Sequence, residues 1–147
     1  MIQRLQTVFL LIASVGLSIQ VFFPLLAAAP NADQGYYQDG LLFTRENTIA
    51  LVLVILAAVM ALLSIFLYKN LGLQKKVILG AVVILMASVI VAGLTFSEAT
   101  RSVYAAQAGV TLRLGAFMPI LGLFFLWLSY RYVTKDQKII KSMDRLR

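Results

Sequence analysis

Four long apolar stretches constrain this chain more than any other feature of its sequence. They cover about residues 7–26, 48–68, 77–96 and 114–132, and the charged residues collect in short clusters around them. A helix needs roughly 20 apolar residues to cross the hydrocarbon core of a bilayer. We therefore predict an all-α membrane protein, an antiparallel bundle of four transmembrane helices that forms a single domain over residues 1–147.

The composition argues against a water-soluble domain. Hydrophobic residues make up 61% of the chain and charged residues 13%, whereas soluble domains carry about 25% charge. Cysteine and histidine are both absent, which removes disulfides, thiolate chemistry, and the commonest general base and metal ligand. We expect no catalytic residue, no metal and no cofactor.

The first apolar stretch also resembles a secretory signal peptide, because Ala27, Ala28 and Ala29 match a small-residue cleavage site. The apolar core of a signal peptide is about 7 to 15 residues long, and this stretch is longer. Pro30 would also follow directly after the cut. We therefore interpret residues 7–26 as a membrane helix, with Pro24 near its end.

Basic residues predict the orientation of the chain. Ten Lys or Arg lie at Arg4, in the connection 69–76 and from Arg131 onward, whereas the two longer loops hold three. Cytoplasmic loops carry the excess of Lys and Arg in membrane proteins. Both termini are expected in the cytoplasm, with the longer connections on the outer side.

Small residues recur at four-residue spacing, which places each pair on one side of a helix. Such residues let helices approach closely in lipid, so we predict that they form packing faces. The pairs are Ser14 with Ser18, Ala57 with Ala61, and Ser88 with Ala92.

No ionisable residue lies in the interior of the four stretches, where intramembrane enzymes and pumps usually need one. Gln20 is the one amide there, and we favour a structural hydrogen bond for it. The acids of the outer loops match no calcium-binding or phosphate-binding pattern, and we interpret them as solvated charges. They are Asp33, Asp39, Glu46 and Glu98.

The tail, residues 134–147, is the most distinctive surface feature. On a helix its apolar residues, such as Ile139 and Met143, share one face, as in a segment that lies among lipid headgroups. The tail is open to three interpretations: a topology signal, a binder of anionic headgroups, or a docking site for a cytoplasmic partner or other membrane-protein subunits. Nucleic acid is not expected. The candidate interfacial or partner residues are Trp127, Tyr130, Lys135, Lys138, Lys141, Arg145 and Arg147.

Both ends of the chain resemble a known family. The opening Met-Ile-Gln-Arg-Leu-Gln-Thr, the turn at residues 68–70 and the closing Lys-Asp-Gln-Lys-Ile-Ile-Lys-Ser-Met-Asp-Arg-Leu-Arg are similar to domain-of-unknown-function family 4293. The resemblance implies a four-span protein of the bacterial inner membrane, found in the Bacteroidota, and it supplies no catalytic residues.

The sequence favours a non-catalytic role, as an accessory or assembly subunit of a larger membrane complex. The alternative is a small transporter or lipid-handling protein that acts as an oligomer.

Overall fold

The computed structural model describes residues 2–28, 41–105 and 110–144, and four α-helices dominate them. The helices are α1 (Ile2–Gln20), α2 (Thr48–Phe66), α3 (Leu71–Ala105) and α4 (Met118–Asp144). The predicted class, a helical protein built from four apolar helices, is confirmed.

Three segments of the described chain are long and apolar enough to cross a membrane: Thr48–Lys69, Leu71–Ser97 and Leu114–Ile140. The apolar part of α1 is shorter and covers Leu5–Gln20. At 1.5 Å per residue it is about 24 Å long, less than the roughly 30 Å of a hydrocarbon core.

The ends of the helices follow from local chemistry. In a continued helix the ring of Pro24 would clash with the carbonyl of Gln20, and α1 ends at Gln20. The side chain of Asn47 accepts a hydrogen bond from the backbone N–H of Ala50 and so caps α2. The 3₁₀ turn Leu67–Lys69 then leads directly into α3.

The helices form an antiparallel ring in which α1 packs against α2 and α4, and α3 packs against the same two helices. Along α1, Gln6 contacts Asp136, Phe9 contacts Tyr132, and Leu17 lies against Gly122, so α4 runs in the opposite direction. Between α2 and α3, the amide of Asn47 donates a hydrogen bond to the hydroxyl of Thr95.

Each helix contributes five buried residues to the centre of the ring, at alternating spacings of four and three. This is the spacing of helices that cross at about 20° with interlocking side chains. The residues are Gln6, Leu10, Ala13, Leu17 and Gln20 in α1; Ala50, Val54, Ala57, Ala61 and Ser64 in α2; Gln74, Ile78, Ala81, Leu85 and Ser88 in α3; and Gly122, Leu126, Ser129, Val133 and Asp136 in α4.

A small antiparallel sheet covers one end of the ring. Its strands are β1 (Pro24–Ala28), β2 (Leu41–Phe43) and β3 (Val110–Leu112), in the order β2-β1-β3. In the central strand, Leu26 pairs with Leu42 on one side and with Leu112 on the other. The sheet follows the last residue of α1 and precedes the first residue of α2, whereas the α2–α3 turn follows the last residue of α2. The sheet and this turn therefore lie at opposite ends of the ring.

The sheet is the main departure from the sequence prediction. Residues 24–26 were expected to end the first membrane helix, but they begin the central strand. The third helix is longer than the predicted stretch 77–96, since α3 begins at Leu71 and continues to Ala105. Likewise, residues 134–144 form no separate surface helix, because α4 runs through them without a break.

Gly115 tests the contact between the sheet and the ring. A β-carbon at Gly115 would lie 2.6 Å from the carbonyl oxygens of Phe23 and Pro24, so Gly115→Ala must push these backbones apart. We expect it to destabilise the protein by about 1–3 kcal/mol, measured as thermal unfolding in detergent. The control is Gly93→Ala, because a β-carbon at Gly93 meets nothing within 4 Å. This variant should melt at the same temperature as the unaltered protein or slightly higher. Equal melting of both variants would contradict the contact.

Candidate functional site

An open groove runs along the outward side of α4, with a volume of about 650 Å³. We call it the α4 groove. Its walls combine aromatic rings with cationic groups, and the lining residues are Trp127, Leu128, Tyr130, Arg131, Tyr132, Thr134, Lys135 and Lys138.

Helix geometry produces this combination. Trp127, Arg131, Lys135 and Lys138 follow one another at spacings of four, four and three, which places them on the same side of α4. The core residues of the same helix point to the opposite side, into the ring. The cations and the apolar core therefore lie on opposite sides of the same helix.

Ring contacts hold parts of the groove in place. The guanidinium carbon of Arg131 lies 5.3 Å from the ring centroid of Trp127, and the ammonium of Lys75 lies 5.1 Å from that of Tyr130. Trp127 also stacks against Phe124 at 6.4 Å. Cation–π contacts of this kind contribute about 0.5–1 kcal/mol at exposed sites.

A buried polar pair lies behind the groove, at the end of the ring that holds the α2–α3 turn. The side-chain amide of Gln6 donates a hydrogen bond to Asp136 Oδ2. Asp136 is 9% exposed and is the one charged residue among the buried residues of the described chain. Sequence reasoning missed the pair, although the 4-3 spacing that ends at Asp136 would have placed its carboxylate inside.

Three further polar atoms on the core faces have no hydrogen-bond partner in the described chain. They are Oε1 of Gln20 on α1, Oε1 of Gln74 on α3 and the hydroxyl of Ser129 on α4. Gln74 shares an end of the ring with Asp136, Ser129 lies in the middle of the core face of α4, and Gln20 lies at the opposite end. Both ends of the core are therefore polar, while the layer next to Asp136, at Leu10 and Ile78, is aliphatic.

A second groove, the α1–α2 groove, has a volume of about 320 Å³ and an almost entirely apolar lining. The lining residues are Ser18, Val21, Phe22, Ile55, Ala58, Val59, Leu62 and Leu63. Small side chains at Ser18 and Ala58 make room between the larger ones. The hydroxyl of Ser18 donates to the carbonyl of Ser14 and therefore needs no partner from outside.

The predicted packing residues fall into three groups. Ala57, Ala61 and Ser88 lie on the core faces, and Ser14 is buried beside the core face of α1. Ala92 is half-buried. Ser18 differs from the prediction, since it is exposed in the α1–α2 groove. The centre of the ring instead receives Leu10 and Leu17, which fill more volume than serine does.

The predicted tail residues are partly brought together. Trp127, Tyr130, Lys135 and Lys138 all line the α4 groove, which Arg131 joins. Lys141 lies in α4, but its side chain is outside the described residues, as are Arg145 and Arg147. Of the acids predicted to be solvated, Asp33 and Asp39 lie in residues 29–40, outside the described part of the chain. The side chain of Glu98 is also outside it.

The arrangement provides two surfaces for binding: one cationic and aromatic, the other apolar. Within the described ranges, no group of three or more His, Cys, Asp or Glu is placed to hold a metal ion. What the geometry defines is a polytopic helical membrane protein with two outward grooves.

The sequence identifies its family. The model of DUF4293, a domain of unknown function, matches residues 2–146, and the chain belongs to that family. No curated protein and no solved structure matches it. The family membership adds no assigned activity, so the two grooves and the buried pair carry the functional argument.

The Gln6–Asp136 pair should contribute measurably to stability. Asp136→Ala leaves the buried amide of Gln6 without its acceptor, and we expect a loss of about 1–3 kcal/mol in the free energy of unfolding. Lys138→Ala, two residues further along and exposed, should change it by no more than about 0.5 kcal/mol. Chemical unfolding in detergent measures both.

A double-mutant cycle with Gln6→Ala separates this contact from other effects. If the two residues interact, Gln6→Ala with Asp136→Ala costs less than the sum of the single substitutions. Strict additivity would show that they do not interact.

Proposed function

We propose that this protein is a non-catalytic integral protein of the bacterial inner membrane, where it serves as an accessory or assembly subunit of a larger membrane complex. The α1–α2 groove is the observation that carries the proposal. It offers an apolar concave surface on the side of the ring that faces away from α4.

The groove suits a helix of another membrane protein. Helices associate in lipid mainly through close packing, and small residues at the contact allow it. Ser18 and Ala58 supply such residues, while Phe22, which is 76% exposed, supplies a large apolar surface beside them. Because the Ser18 hydroxyl is already satisfied, the partner needs only apolar side chains of complementary shape.

The core of the ring supports a non-catalytic role. Between its polar ends, the described core faces hold aliphatic residues, glycine and serine, such as Leu17, Val54, Leu85 and Leu126. A charged substrate or proton crossing these layers would lose its hydration without replacement. Transport, the second candidate, therefore requires a pathway between several copies of the chain.

Filling the groove should weaken the complex. Ser18→Leu adds an apolar side chain where the partner helix docks, at a cost of about 1–3 kcal/mol, or about fivefold or more in affinity. The matched control is Ser97→Leu. Ser97 is also exposed, and its hydroxyl also donates to a carbonyl of its own helix, that of Leu94.

The measurement combines crosslinking with recovery. A photoreactive residue at position 18, but not at the outward Val83 of α3, should crosslink to one membrane protein that is recovered in fixed ratio under mild extraction. Ser18→Leu should reduce that recovery and Ser97→Leu should not. A crosslink to a second copy of this chain would favour the oligomeric transporter. Crosslinks to lipid alone would contradict the subunit role and the oligomeric transporter.

We also propose that both termini face the cytoplasm, on the basis of the basic residues. The chain has no cysteine, so single cysteines report their side cleanly. An impermeant thiol reagent added outside intact spheroplasts should label Arg113→Cys and leave Ser142→Cys unlabelled until the membrane is opened; both sites are exposed. The reverse labelling pattern would invert the orientation.

A further inference from the structure

We propose that the α4 groove binds the phosphate of an anionic phospholipid through Arg131, Lys135 and Lys138. The site goes beyond the proposed subunit role and does not depend on it, because α4 lies diagonally across the ring from α2. The ligand class is a lipid with a negatively charged phosphate headgroup.

The spacing of the three cations suits a headgroup. Arg131 and Lys135 are four residues apart, Lys135 and Lys138 are three apart, and all three are exposed. Neighbours at these spacings lie about 5–6 Å apart between β-carbons. Two adjacent side chains can therefore converge on one phosphate, with the guanidinium of Arg131 able to bind it through two N–H groups.

The charge of the groove is positive without local compensation. None of its lining residues is acidic. The nearest acid in sequence, Asp136, is turned into the ring and accepts the hydrogen bond of Gln6. Lys75 adds a fourth cation at the edge, through its contact with Tyr130. An anion in the groove would meet attraction from several sides.

The apolar surface beside the cations favours a lipid over a soluble anion. Trp127 is 50% exposed and stacks on Phe124, which is 51% exposed, and Leu121 continues the same surface one turn further. Acyl chains can lie on these residues while the headgroup reaches Arg131 and Lys135. Tryptophan at the junction of apolar and polar layers is typical of membrane interfaces.

The experiment uses Trp127, which is the chain's one tryptophan and therefore the reporter of this groove. The purified full chain is placed in nanodiscs with brominated phosphatidylglycerol or, at the same mole fraction, brominated phosphatidylcholine. Bromine quenches tryptophan on contact. We expect stronger quenching by the anionic lipid, and we take the ratio of the two as the preference.

Removing the cations of the groove should reduce the preference for the anionic lipid. Arg131→Gln with Lys135→Gln should lower it by up to about fivefold for each charge removed. Using a ratio within each variant cancels changes in the emission of Trp127 itself. Lys135→Gln with Lys138→Gln leaves the contact between Arg131 and Trp127 in place, and should also lower the preference if the first variant does not fold.

The matched control removes two positive charges outside the groove, at the same end of the ring. Lys69→Gln with Lys76→Gln changes two exposed cations of the α2–α3 connection and should keep the preference. An equal loss in this variant would overturn the site in favour of general surface charge. Equal quenching by both lipids in the unaltered chain would also overturn the site, because the groove would then show no preference for the anionic headgroup.

Inorganic phosphate distinguishes the two sources of the anion. Added at constant ionic strength, it should leave the preference unchanged, because it has no acyl chains to contact Phe124 and Leu121. If phosphate removes the preference and chloride at equal ionic strength does not, the groove binds a free oxyanion and the lipid assignment is wrong.

Discussion

Close packing without help from water is the constraint on which this structure depends. In lipid, the tails are as apolar as the side chains, so helices gain little from simply burying leucine against leucine. The four core faces meet this constraint with one shared spacing of four and three residues. At Gly122, a β-carbon would lie only 2.8 Å from Leu17, and at Gly80 only 2.9 Å from Met60, so the glycines allow the helices to approach.

The helices could be predicted from sequence because a bilayer demands long apolar segments, and such segments are visible without knowledge of their neighbours. The sheet could not. Its outer strands have three residues each, and their backbone groups find partners only after the helix ends have met. Pro24 correctly indicated a boundary, but a proline alone does not distinguish the last turn of a helix from the first residue of a strand.

The candidate site divides in the same way. Trp127, Tyr130, Lys135 and Lys138 could be predicted because aromatic and basic residues at the end of a span have an interfacial preference of their own. The inward position of Asp136 follows from the 4-3 spacing of the core residues of α4. Its partner could not be predicted, because Gln6, whose amide supplies the hydrogen bond, lies 130 residues away along the chain.

The polar residues at the ends of the core fix the register of the helices along their axes. Apolar faces with a repeated spacing can slide past each other by one repeat at modest cost, because leucine then meets another aliphatic residue. A slide of α1 along α4 would instead separate Gln6 from Asp136 and leave two buried polar groups unpaired. Since α4 carries the cations on its opposite face, the contact that aligns α4 with α1 also sets the depth of Arg131 and Lys135 relative to the apolar surface.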